Sequence, residues 1–154
     1  MSGDRLAYAF DADRSELDGD SAVVLGGKGS GLAEMTAAGL PVPPGFTLTT
    51  EACRAFLATG WTDEFDRAIE AEMAALEATV AKKLGSPDSP LLVSVRSGAQ
   101  ISMPGMMDTV LNVGMGPEVE RALATLTGDP VFAADTHRRA LLGYAEIVFG
   151  APRE

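Results

Sequence analysis

The sequence predicts an α+β fold, and three observations carry that reading. Short apolar or alternating segments bounded by turn residues recur at 6–10, 46–49 and 91–95, as strands require. Segments with apolar residues spaced three and four apart lie between and after them, clearest over 62–84. The composition is that of a packed domain: 154 residues, 46% hydrophobic and 22% charged, enough for one core and too few for a second full domain.

In chain order, Leu6, Tyr8 and Phe10 alternate with alanines and predict a first short strand, followed by a polar loop over 11–20. Residues 21–25 are apolar and run into Gly26 and Gly27. Leu32 and Met35 then share one side of a short helix over 30–38, closed by Gly39, so that a glycine loop feeds a helix N-terminus. Pro41, Pro43 and Pro44 fix φ and remove donors, which forces an extended path into a strand at 46–49. Thr50 and Glu51 open a helix to Ala58, with Cys53, Phe56 and Leu57 expected inside and Gly60 as its breaker.

Over 62–84, Phe65, Ile69, Met73, Leu76, Val80 and Leu84 form one stripe of an exposed helix, which Gly85 and the prolines at 87 and 90 end. The apolar, partly β-branched run 91–95 belongs by its pattern in the middle of a sheet. Residues 97–116 hold four glycines, four methionines and one proline with little periodicity, which predicts an ordered loop with a short extended piece at 110–113. Pro117 in a first turn, Val119, Leu123 and Leu126 inside and Gly128 beyond the end define another helix. A last helix over 131–149 turns Leu141, Tyr144, Ala145 and Val148 to one face.

A formal net charge of −10 and a pI near 4.5 argue against a nucleic-acid surface, which needs clustered cations. The single cysteine, Cys53, has no internal disulfide partner, and no Cys/His spacing suits zinc, which fits a reducing cytosol. The N-terminus lacks a basic segment followed by a long apolar one, and no apolar run nears the ~20 residues that span a bilayer. No membrane partner is expected and the location reads as cytoplasmic. Met1 reads as a true start, whereas Ala151 to Glu154 give no stop signal, so the chain reads either as a fragment or as a naturally short protein.

Two local motifs suggest phosphate chemistry, each with a plainer alternative. Gly26-Gly27-Lys28-Gly29-Ser30-Gly31 resembles a phosphate loop, because glycines admit an anion to backbone N–H groups and a helix start favours negative charge. It is neither a Walker A sequence, since Gly29 follows Lys28, nor a dinucleotide fingerprint, since Glu34 stands where a third glycine belongs. An ordinary glycine-rich turn fits as well. Arg96 follows the 91–95 strand, where a guanidinium can grip phosphate with a fork of donors or simply pair a carboxylate. Beyond it, Ser102-Met-Pro-Gly-Met-Met-Asp-Thr109 answers to no packing rule: Met103, Met106 and Met107 suit packing or a lid, Gly105 close backbone approach, Asp108 a cap or a charge partner and Thr109 a hydroxyl contact.

Taken together, Gly26 to Gly29 with Leu32-Ala-Glu-Met-Thr36, Pro43-Pro-Gly-Phe-Thr47, Thr50-Glu-Ala-Cys53, the segment from Leu91 to Ala99, and Ser102 to Thr109 resemble the start of the pyruvate phosphate dikinases. The likeness continues through Phe132-Ala133 and Arg138-Arg139. It implies an ATP-grasp-like N-terminal subdomain, a mixed sheet flanked by helices over 1–115, with a helical portion beginning over 116–154. In that family ATP phosphorylates a histidine through a pyrophosphoryl intermediate, phosphate takes one phosphoryl group, and pyruvate becomes phosphoenolpyruvate elsewhere. By position in the motifs, Lys28 and Arg96 would contact the ATP phosphates with Thr109 beside them, and Gly105 and Arg139 would sit near the transferred phosphoryl groups.

The resemblance also implies what this stretch omits. The acidic Mg2+ ligands, the phosphohistidine domain and the pyruvate barrel fall beyond its matching motifs, so turnover needs the remainder of the polypeptide in cis or trans, and an incomplete unit should expose apolar surface that favours homo-oligomers. His137 lacks the flanks of a catalytic histidine and reads as an exposed or capping residue. Two other readings stay open: a stand-alone module that binds a nucleotide or a partner without catalysis, and a related ATP-grasp phosphotransferase such as phosphoenolpyruvate synthase or a glucan dikinase.

Overall fold

A computed structural model describes residues 5–12, 20–98 and 108–152. The fold is α+β, with elements in the order β1 (Ala7–Ala9), α1 (Ser21–Ala37), β2 (Phe46–Leu48), α2 (Thr50–Thr59), α3 (Asp63–Val80), β3 (Lys83–Leu84), β4 (Pro90–Leu91), β5 (Val93–Arg96), β6 (Thr109–Val113), α4 (Pro117–Thr127) and α5 (Pro130–Phe149). Among the described residues two compact units form, one of residues up to Val80 with Gly98, the other of residues 81–97 and 108–152.

In the first unit β1 and β2 pair antiparallel, with Tyr8 opposite Thr47, and Thr49 N–H extends the ladder to Leu6 C=O at 2.9 Å. Leu6 packs with Ala52 of α2 and Phe65 of α3, while Tyr8 packs with Leu25 and Ala33 of α1. The periodicity of α3 is borne out, since Phe65 and Leu76 are buried and Ile69, Met73 and Val80 half-buried. Its end differs: Ala81 takes φ 52° and Leu84 enters β3, so the apolar spacing outlasts the helix. Helix α2 is capped by Thr49, whose hydroxyl accepts from Ala52 N–H at 3.0 Å. It buries Ala52 and not the larger residues, so the expected inward side is corrected: Cys53, Phe56 and Leu57 are exposed.

The second unit departs further from expectation. In place of one mixed sheet, the described strands of the chain form three two-stranded ladders: β1–β2 and β5–β6 antiparallel, β3–β4 parallel. The 91–95 run is no central strand, because it breaks at Leu92 and Pro90 has no N–H to donate, and Val95 is 54% exposed. The extended piece at 110–113 is present as β6. Helices α4 and α5 pack on each other, and α5 on β6, around buried Val119 and Ala133. Gly128 closes α4 in the left-handed conformation, and Asp129 caps α5 through Phe132 N–H at 2.9 Å. Leu126, expected inside, is exposed, and so are Leu141, Tyr144 and Val148, which share one face of the last helix by their spacing.

The expected exposed or capping role of His137 is also corrected. Its ring is 15% exposed, and Nδ1 lies 2.5 Å from Glu120 Oε2, joining α5 to α4. Replacing His137 with alanine is expected to cost about 1–2 kcal/mol of stability, and Glu120→Gln less because the amide oxygen still accepts. Thermal melts of the two variants would check this ranking, and equal melting temperatures to wild type would remove the bond from the α4–α5 interface.

Candidate functional site

The glycine-rich stretch lies within α1, which begins earlier than its residues suggest. Asp20 accepts from Ala22 N–H at 2.8 Å and caps a first turn, a cap legible in the sequence as an acidic residue before an apolar run. At Gly26 the backbone leaves the helix, with φ 69° and ψ 169°, a region open essentially to glycine alone. The helix resumes at Gly27. Its first N–H groups therefore have no carbonyl one turn back within that segment, and they carry the positive end of its dipole. Lys28, half-buried, is the second residue of the resumed helix.

Three contacts hold this turn. Ser30 is 5% exposed and donates to Glu34 Oε1 at 3.3 Å, so its single proton is used and Ser21 Oγ donates to it across the kink at 2.9 Å. Thr50 Oγ1 donates to Val23 C=O at 2.7 Å and ties the first turn to α2. Gly29 is buried against Thr47 of β2. At the far end Gly39 and Leu40 donate to Thr36 and Met35 carbonyls at 2.9 and 3.0 Å, the closing pattern expected from Gly39.

Three other residues singled out in the sequence belong to the second unit. Arg96 ends β5 directly opposite Thr109 at the start of β6, so the structure brings these two together as cross-strand partners. Arg96 is exposed and Thr109 half-buried. Just beyond, Ser97 N–H and Oγ both donate to Asp108 C=O, at 3.3 and 3.2 Å. Arg139, on α5, donates from Nε to Asp135 Oδ2 at 2.5 Å, and Arg138 donates to Oδ1 from Nε and Nη2 at 3.1 and 2.6 Å. These guanidiniums, Arg138 first, hold the Asp135 carboxyl below the usual carboxylate range. Gly105, Met103, Met106 and Met107 lie outside the described residues.

Among the described residues no three His, Cys, Asp or Glu side chains group to hold a metal ion, and no helix is long and apolar enough to cross a membrane. What the arrangement offers an anion is a helix start bearing a lysine, and separately a strand-end arginine beside a hydroxyl.

Residues 22–64 match the family described as pyruvate phosphate dikinase, AMP/ATP-binding domain. The chain is 43% identical over 152 residues to a pyruvate, phosphate dikinase of Rickettsia felis, covering 97% of this chain and 17% of that protein. It is 48% identical over 132 residues to one of Clostridium symbiosum, covering 84% and 15%. To the chloroplastic enzyme of Flaveria trinervia it is 46% identical over 154 residues, covering 96% and 16%. The chain thus spans about one sixth of the length of these relatives.

Proposed function

Because the chain belongs to the pyruvate, phosphate dikinase family, matching its members along one segment, we propose that it is the ATP- and phosphate-binding part of such an enzyme. The full reaction converts ATP, pyruvate and phosphate to AMP, phosphoenolpyruvate and pyrophosphate through a phosphohistidine. Phosphoryl transfer is mostly positioning and charge stabilisation by Lys, Arg and backbone N–H groups. The observation that carries the reading is the break at Gly26, which starts a helix next to Lys28 inside the matched segment.

In this reading Lys28 and Arg96 bind ATP phosphates and Thr109 adds a hydroxyl, while Gly105 and Arg139 act at the transferred phosphoryl groups. An arriving phosphoryl group competes with Asp135 for Arg139. Residues 1–115 form the first ATP-grasp subdomain and 116–154 begin a helical one. Magnesium, held by acidic groups supplied outside this chain, neutralises phosphate charge. The chain is cytoplasmic, is inactive without the remainder of the polypeptide, and offers the exposed α5 residues Leu141, Val148 and Phe149 to that remainder or to a second copy.

Calorimetric titration with Mg-ATP tests the assignment. Lys28→Ala and Arg96→Ala are each expected to weaken binding by about 1.5–3 kcal/mol, roughly ten- to a hundredfold. Unchanged affinity in both would sink the site assignment. No binding by a folded wild-type chain would show that the pocket forms only with the rest of the enzyme.

A further inference from the structure

Gly29 lies between Lys28 and Ser30, and its buried Cα faces β2. A methyl group built there would stand 2.8 Å from Thr47 Cγ2, 3.0 Å from Thr47 Oγ1 and 3.0 Å from Leu25 Cβ. Both γ atoms of Thr47 flank the same point, so rotating its χ1 removes at most one of them, and a β-branched side chain in a strand has few rotamers to spare. Nor can the strand easily retreat, because Thr47 is paired with Tyr8 of β1 and Tyr8 is itself packed on Leu25 and Ala33. The neighbouring Gly27 and Gly31 differ, since a Cβ at either meets nothing within 4 Å.

We propose that Gly29 is a positioning residue: its bare Cα lets α1 seat on Thr47, and that seat, with the Ser21–Ser30 bond across the Gly26 kink, sets where Lys28 presents its ammonium group. Any side chain at 29 lifts the start of the resumed helix off β2 and carries Lys28 with it. The inference rests on the reading of Lys28 as a phosphate contact for its functional meaning, though not for its geometry.

Trace amine acetylation with site-resolved mass spectrometry reads the position of Lys28 against exposed Lys82 in the same chain. Measurements are made well below the melting temperature, on variants whose fold is checked by far-UV circular dichroism. Gly29→Ala is expected to shift the Lys28-to-Lys82 labelling ratio, Gly31→Ala to leave it unchanged, and Gly29→Ala with Thr47→Ala to move it back toward the wild-type value, since both γ atoms are then gone and only Leu25 Cβ, at 3.0 Å, stays close. A merely structural role would lower the melting temperature without moving the ratio. An unchanged ratio in folded Gly29→Ala, or a shift that Thr47→Ala does not reverse, would overturn the proposal. Should Gly29→Ala not fold, a folded double variant with the wild-type ratio supports it and an unfolded one overturns it. Adding Mg-ATP separates the two readings: failure to protect Lys28, with the ratios behaving as expected, counts against nucleotide binding by this chain alone and leaves the positioning role standing.

Discussion

Gly114→Ala is expected to destabilise the chain by roughly 3 kcal/mol or more, through two effects that add. Gly114 sits at φ 102°, where an L side chain is strained by about 1–3 kcal/mol. Its missing Cβ would also stand 2.7 Å from the Leu91 carbonyl oxygen and 2.8 Å from Leu84 Cδ1. The nearer atom is backbone, so no rotamer change relieves the overlap, and the end of β6 must move away from β4. Urea unfolding followed by far-UV circular dichroism should show a lower midpoint at unchanged slope. Gly143→Ala on α5 is the matched control: a Cβ there meets nothing within 4 Å, and alanine in a helix interior gains about 0.5–1 kcal/mol. Equal midpoints for the two variants would dismiss the close approach.

Phe65→Ala should cost about 3–5 kcal/mol, the usual range for emptying a buried phenylalanine site. Phe65 is 3% exposed and links Leu6 of the β1 segment to Ala52 of α2, with Ala55 and Ala68 packed beside it. Its ring also stacks on Trp61, with centroids 5.3 Å apart and planes at 28°, and meets Phe56 edge-on at 6.4 Å. Against a native stability of about 5–15 kcal/mol, such a loss leaves a marginal fold. Trp61 is the chain's single tryptophan, so its emission reports on this cluster. The expected outcome is an early fluorescence transition in urea together with altered native-state emission. A midpoint within experimental error of wild type would mean that the cluster does not hold the first unit together.

The sequence exposes best what is governed by local rules. Gly39 and Gly128 end helices because the left-handed turn favours glycine, and the stripe of α3 follows from Phe65 and Leu76 recurring on one side. Periodicity says which side of a helix is apolar, though not whether anything covers it, and so Phe56, Leu57 and Leu126 were expected inside yet are exposed. Likewise 91–95 has the composition of a central strand, but strand neighbours are a tertiary matter and β5 has one partner among the described residues. At the candidate site, Arg96 and Thr109 could be named from motifs, whereas their pairing across β5–β6 depends on a register that thirteen positions of sequence separation conceal. The inward turn of Ser30 and the His137–Glu120 link have no local signal, because each partner is fixed only when helices pack or kink.

Helix α1 contains four glycines in seventeen residues. Relative to alanine the three that keep helical geometry, Gly27, Gly29 and Gly31, each cost up to about 1 kcal/mol, so the segment around Lys28 has little helical tendency of its own and is held by Thr47, Ser21 and Val23 contacts. Its amides should therefore belong to the least protected cooperative unit in native-state hydrogen exchange. A phosphate bound there as proposed would add contacts to a segment that depends on its neighbours for order. The apparent dissociation constant would then equal the intrinsic one divided by the fraction of chains in which the turn is formed, and mutations remote from the ligand could retune affinity by changing that fraction alone.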